Sequence, residues 1–255
     1  MRTTRRASGA VLAATLTGVL AAVLALAGCH ATPDGPGREP SASGTAATAG
    51  PAQTAAATPA QPSATVDVGP VRLRVTAPVG ATLAMSSGTT RVAVRHLDGA
   101  PVVVTVDRPA GAALTVELDG SVAVEDASGR AVGGLAAPED ARARGTRTRV
   151  RVTPEGGTLV LRFGDGTPRS ATWGVAEGGR SLAVDPNAWA RAAGQAGAAA
   201  TWTAVTTAHP DADTPGMHDQ LLCHAIGAPD KATWNLEPWR PDVGLVETVA
   251  ARCNP

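Results

Sequence analysis

Between Val66 and Thr172 polar and apolar residues alternate in short runs. Residues 71–75, 91–95, 102–106, 114–118, 122–124, 146–152 and 158–163 each carry aliphatic or β-branched side chains at every second position. A period of two puts those side chains on one face of an extended strand, so these runs predict half-buried strands. Asp98-Gly99, Asp119-Gly120, Ser128-Gly129, Glu155-Gly156-Gly157 and Asp165-Gly166 punctuate the runs. Asp-Gly suits tight hairpins because both positions tolerate positive φ. Seven or more short strands at this spacing predict an antiparallel β-sandwich-like domain over residues 66–170.

One run carries charge as well. Residues 146–152 read as a single strand with Arg147, Arg149 and Arg151 on one face and Val150 and Val152 on the other, preceded by Arg142 and Arg144. Such a stripe suits either an anionic polymer or a solvated, edge-protecting face, and the solvated face is the reading adopted for it.

After about residue 171 the period lengthens. Asp185-Pro186 reads as an N-cap and first helical residue, followed by a helix with Trp189 inward and a weak point at Gly194. A second helix is expected over about 198–208, with Trp202 and Val205 on one side. Thr214-Pro215 opens a third, which Gly227 ends and in which Met217, Leu221 and His224 or Ala225 share a face. Residues 234–241, WNLEPWRP, are too rich in proline for a helix and read as an ordered loop or short strand. Asp242 is expected to cap a last helix bearing Val243, Val246, Val249, Ala250 and Cys253. The fold class expected for the whole chain is therefore α+β: a β-sandwich-like domain, then a small helix-rich domain over 171–255.

Residues 181–184 (SLAV) with Pro186 and Trp189, Gly216-Met217, Asp219-Gln220, Cys223-His224, the WNLEPWRP string and the closing Cys253-Asn254-Pro255 together resemble the bacterial family catalogued as domain of unknown function 2599. The resemblance covers the last third of the chain and implies no particular activity.

That third also holds the candidate chemistry. His218, Asp219, His224, Lys231, Asn235, Glu237, Arg240 and Asp242 fall close together. His224 with Glu237 or Asp219 could act as base and orienter in a hydrolase. His218, Asp219 and His224 make a poor metal set, since His-x5-His does not bring both rings to one helical face. Trp234, Asn235, Trp239 and Arg240 are the candidate ligand contacts. No nucleophile elbow, zinc-ligand spacing or phosphate loop is present in the sequence, and nothing in it implies a metal or other cofactor.

The N-terminus supplies an address. Arg2, Arg5 and Arg6 precede an apolar run over 10–27, which ends in Leu26-Ala27-Gly28-Cys29. Basic region, apolar region and this quartet resemble a bacterial lipoprotein signal over 1–28, with lipid on Cys29. Acyl burial would then hold the protein on the membrane, at about 0.8 kcal/mol per methylene. Residues 29–65 are rich in Pro, Ala, Thr, Ser and Gly without apolar periodicity, and read as a disordered tether reaching about 30 Å. With Cys29 assigned to lipid, Cys223 and Cys253 remain as an even pair in an exported chain, which predicts a disulfide.

Without residues 1–28 the chain has 19 basic and 22 acidic residues, a formal charge of −3. That balance argues against a nucleic-acid partner. The expectation is a lipid-anchored protein on the extracytoplasmic face of the cell membrane, presenting a non-catalytic binding module to cell-wall polymer or an envelope protein. An envelope hydrolase and an exported effector or toxin-like module are the alternatives. Cys29→Ser is expected to move the protein from the membrane fraction to the soluble one, as read by fractionation of expressing cells.

Overall fold

The computed structural model describes residues 59–86 and 90–255. Cys29, the expected signal segment and residues 30–58 of the expected tether lie outside the described residues, while Ser63–Thr65, also expected in the tether, are strand instead and pair with residues 74–76. In chain order the strands are β1 (Ser63–Val68), β2 (Val71–Thr76), β3 (Thr82–Met85), β4 (Arg91–Arg95), β5 (Val102–Arg108), β6 (Ala113–Val116) and β7 (Val122–Glu125). They continue with β8 (Ala131–Leu135), β9 (Ala141–Thr146), β10 (Arg149–Pro154), β11 (Thr158–Asp165), β12 (Ser170–Ala176) and β13 (Gly179–Asp185). Helices α1 (Ala188–Ala192), α2 (Gly194–Ala208) and α3 (Pro215–Gly227) follow, then a short strand β14 (Trp234–Leu236) and helix α4 (Leu245–Ala250). The fold is α+β, with antiparallel pairing throughout the described sheets.

Three sheets form. One has the order β1-β2-β5-β10-β9, the second β3-β4-β11-β8-β7-β6, and the third β12-β13-β14. The alternation read from the sequence is the alternation of burial: in β10 Val150 and Val152 are buried while Arg149 and Arg151 are exposed. Buried residues of the first two sheets, among them Leu73, Val104 and Val152 with Val94, Leu161 and Phe163, form one hydrophobic cluster. Leu182, Val184, Met217, Leu221, Trp234 and Leu236 form a second, beneath the third sheet's helices.

The turn signals divide into two kinds. Asp119-Gly120 and Ser128-Gly129 join strands that pair with each other, β6 to β7 and β7 to β8. Asp98-Gly99 and Glu155-Gly156-Gly157 instead carry the chain from one sheet to another, between β4 and β5 and between β10 and β11. Asp98 and Gly99 do take positive φ, 45° and 76°, so the local bend expected of them is present without the hairpin. The run 146–152 is not one strand. β9 ends at Thr146, Arg147 and Thr148 turn, and β10 starts at Arg149. Arg147 therefore leaves the stripe and pairs with Glu125 at 3.4 Å.

Helix boundaries shift for reasons of capping. The N-cap of α1 is Asn187, whose side chain accepts from the Ala190 N–H at 2.8 Å. Asp185 instead ends β13, and hydrogen bonds from Arg169 and Arg191 hold its carboxyl down at about 2. Gly194 is not a weak point inside a helix. It is the corner between α1 and α2, at φ +57°, and α2 begins there, four residues before the expected start.

The cap of α2 comes from far away in sequence. Asp119, in the β6–β7 turn, accepts from the Gln195 N–H at 2.7 Å, and Ser121 Oγ accepts from the Ala196 N–H at 3.1 Å. Gln195 Oε1 in return accepts from the Asp119 N–H at 3.1 Å. This is a capping box assembled across 76 residues of sequence, and it satisfies helix donors that no neighbouring side chain reaches. A Cβ at Gly194 would lie 2.0 Å from Asp119 Oδ2. Asp119→Ala is expected to cost about 1 kcal/mol of stability. Gly194→Ala should cost more than that in the native background and less when Asp119 is already Ala, because both changes act on one cap. Urea unfolding of the two single variants and the double measures this coupling.

Candidate functional site

Helix α3 positions the candidate residues. Thr214 caps it, with its side chain accepting from the Met217 N–H, and Pro215 occupies the first turn. Met217, Gln220, Leu221, Cys223 and His224 face inward, at the three- and four-residue spacing of one helical face. Two of those five are polar, and each is used on the backbone of the segment opposite. Gln220 Oε1 accepts from the Glu237 N–H at 2.7 Å, and Gln220 Nε2 donates to the Glu237 carbonyl at 3.1 Å. His224 Nε2 lies 3.2 Å from the Asn235 carbonyl. A carbonyl only accepts, so Nε2 carries a proton, and burial, which holds the pKa down at about 4, keeps the ring neutral at pH 7.

The spacing explains why this works. Four residues of helix advance about 6 Å and two residues of strand about 6.6–6.8 Å. Gln220 and His224 on one helical face therefore meet Glu237 and Asn235 on one side of the strand segment. The same segment pairs on its other side with β13, Leu236 opposite Leu182 and Trp234 opposite Val184. The string WNLEPWRP is thus a short strand followed by a turn, clamped between a strand and a helix.

Of the expected catalytic groups, His224 and Glu237 are sealed from solvent. His224 is 1% exposed and Glu237 2%. No hydrogen bond joins His224 to Glu237 or to Asp219 among the described residues. The Glu237 carboxylate pairs with Arg240. Arg240 also reaches Glu177 in the β12–β13 turn and donates to the Pro255 carbonyl at 3.3 Å, so one guanidinium ties a hairpin, the loop and the chain end together. Asp219 is half-buried and makes no side-chain hydrogen bond among the described residues. His218 is half-buried and tilts against Trp202, ring centroids 4.9 Å apart. Among the described residues no group of three or more His, Cys, Asp or Glu side chains is placed to hold a metal.

The four candidate ligand contacts differ in access. Trp234 is fully buried in the second core. Asn235 is half-buried and its Oδ1 accepts from Thr233 Oγ1 at 3.0 Å. Arg240 is occupied as described. Trp239 remains 46% exposed. Its ring lies on Gly179, where a Cβ would come within 2.2 Å of it, and Arg240 covers it at 4.5 Å. Of the four, only Trp239 offers a large surface to a partner.

Cys223 and Cys253 form a disulfide with Cα atoms 5.5 Å apart. It closes a loop over a sequence separation of 30, for which chain entropy gives about 3–4 kcal/mol. The last helix is shorter than expected, is not capped by Asp242, and leaves its valines exposed. α4 starts at Leu245, with Gly244 before it at φ +82°, and turns Thr248 inward, leaving Val246 79% exposed.

One organising residue carried no signal in the sequence. Arg191 donates to the carbonyls of Pro186, Pro229, Lys231 and Ala232 and to the Asp185 carboxylate. It holds the 229–232 loop against α1. A lone arginine in an alanine-rich helix looks like a solvated side chain until the loop is seen folded over it.

Residues 169–255 match the family described as protein of unknown function, DUF2599. The matched stretch takes in the third sheet, every helix of the described residues, the disulfide and the clamp, and it leaves out the two larger sheets. An uncharacterized protein of Mycobacterium tuberculosis (strain H37Rv) is 44% identical over 93 residues, covering 33% of this chain and 61% of its own length. An uncharacterized protein of Mycobacterium bovis gives the same figures, 44% over 93 residues. One of Mycobacterium leprae is 43% identical over 81 residues, covering 30% of this chain and 60% of its own. The chain thus spans about 60% of the length of these relatives. No solved structure matches the chain. Within the DUF2599 region Gln220, His224 and Glu237 are bound into the packing.

Burial and the charge of Lys231 lower the pKa of His224 from 6.5 to about 4, against the smaller opposing effect of the Asn235 bond. The unfolded chain takes up this proton near pH 6.5 and the folded protein only near pH 4. The contribution to stability is therefore intact above pH 6.5 and is lost as pH falls from 6.5 through 4, by about 3 kcal/mol in all. His224→Gln keeps a donor for the Asn235 carbonyl and cannot take up the proton. It should lose less stability than the native protein between about pH 7 and about pH 4.5, as measured by urea midpoints.

Proposed function

We propose that this chain is a lipid-anchored protein of the cell envelope that presents a non-catalytic binding module outside the cytoplasm. The observation that carries the reading is the state of His224 and Glu237. Both are closed to solvent, and each is engaged by a structural partner. A general base must reach the proton it abstracts directly or through one water, and a ring sealed behind β14 reaches neither. A base held near pKa 4 is also a weak one at neutral pH.

The remaining features support presentation. The Leu-Ala-Gly-Cys quartet at 26–29 supports the anchor and the residues that precede β1, from 29 to 62, the spacer. The Cys223–Cys253 bridge suits an oxidising compartment. The shared core of the two larger sheets supports reading residues 66–170 as a sandwich-like module, with residues 171–255 as a second module docked through α2. The exposed ring of Trp239, fixed from behind by Gly179 and Arg240, is the kind of rigid aromatic that binding surfaces use.

Incubating the purified protein with isolated envelope material tests this. Co-sedimentation without release of soluble fragments is expected. Release of sugar or peptide that disappears in His224→Ala would establish the hydrolase instead, and growth arrest on expression of the chain in a host would favour the effector.

A further inference from the structure

The outer face of the five-stranded sheet carries an arginine cluster that the fold leaves without counter-charge. Register places Thr76, Val103, Arg151 and Arg144 in one row across β2, β5, β10 and β9. Arg74, Thr105, Arg149 and Thr146 make the next row. Four other arginines of this region are matched, Arg72 by Asp67, Arg74 by Asp107, Arg142 by Glu155 and Arg147 by Glu125, while Arg108, opposite Arg72 at the end of β5, makes no ion pair among the described residues. Arg144, Arg149 and Arg151 make no ion pair among the described residues.

Arg144 and Arg151 are direct cross-strand neighbours, an arrangement that costs stability for like charges. Edge protection accounts for arginine on β9, which is an edge strand, but not for Arg149 and Arg151. Those stand on β10, which is paired on both sides.

A groove of about 450 Å³ opens against these two arginines. Its lining includes Thr76, Thr105 and Gln61, with Pro78 and Pro101 from the adjoining loops, and among the described residues contains no carboxylate and no aromatic ring. Arginine forks suit carboxylates, while hydroxyls and an amide suit sugar hydroxyls. The absence of aromatic rings from the lining leaves no stacking platform for single-stranded nucleic acid. Arg149 and Arg151 are two residues apart, hence about 7 Å, along the strand, a spacing that lets successive charges of one extended chain be met in turn. A groove with loop walls admits a single chain more readily than a flat lipid surface.

We infer that the groove beside Arg149 and Arg151, extended by Arg144, binds an acidic polysaccharide. This rests on the envelope reading only for where the protein would meet its ligand. The site also lies outside the DUF2599 region.

The test uses the whole protein and polygalacturonate as the probe. Arg149→Gln/Arg151→Gln is compared with Arg91→Gln/Arg95→Gln, which removes the same charge from exposed positions of β4 on the other sheet. Binding to polygalacturonate that falls with added salt, weakens about tenfold or more in the first double variant and stays within about twofold in the second supports the site. Thermal melts of both variants show whether folding is retained. If the first variant unfolds, Arg149→Lys/Arg151→Lys takes its place: it keeps the charge but loses the planar fork, and weakened binding is again expected. Equal loss in both Gln variants, no binding of polygalacturonate, or binding to anionic phospholipid vesicles alone overturns it. Surface labelling of the protein on intact cells reports the envelope reading separately, so either can fail without the other.

Discussion

The C-terminal structure depends on a match of two rises. Four residues of helix and two of strand cover nearly the same distance, so Gln220 and His224 can each take a backbone group of the segment that follows the α3 turn. This lets a three-residue strand persist at the edge of a three-stranded sheet. Its backbone is bonded to β13 on one side and to helix side chains on the other. Polar side chains buried this deeply stabilise only when satisfied, and the Gln220 amide meets that condition fully. His224 meets it on one ring nitrogen, while Nδ1 is buried without a partner among the described residues. The ring remains neutral, because an imidazolium there would be charged in an apolar surrounding.

The other structural joint is the N-terminus of α2. A helix rich in alanine and glycine buries little area per residue, so its packing needs close approach. It achieves this against the glycine that follows β11: a Cβ on Gly166 would strike the Ala200 backbone at 2.1 Å. Trp189 uses the same device on β11, lying over Gly164 and donating to the Arg162 carbonyl. A chain with one phenylalanine and no tyrosine thus fits its few large rings onto bare backbone, and so joins the part matched by DUF2599 to the part that is not.

Legibility in the sequence followed the range of the interaction. Period-two alternation was readable because facing is set within two residues, and Val150 and Val152 faced inward as the pattern required. The sheet that a strand joins was not readable. Asp98-Gly99 encodes a bend through its own φ angles, but whether β5 returns beside β4 or crosses to another sheet depends on burial over the whole domain. The cluster of chemically capable residues between His218 and Asp242 was visible as composition. Its use was not, since a histidine beside a glutamate in sequence space looks the same whether it lines a cleft or closes a core.

Turn residues, strand alternation, the Thr214-Pro215 helix start and the pairing of the two C-terminal cysteines were therefore settled by the chain's local chemistry, because each depends on backbone preference or on a count. The sealing of His224 and Glu237, the remote cap on α2, the turn that splits Arg147 from Arg149, and the outward valines of α4 were decided only by tertiary packing. Each of these follows from which groups lose water on folding, and solvent exclusion belongs to the packed chain rather than to any stretch of it.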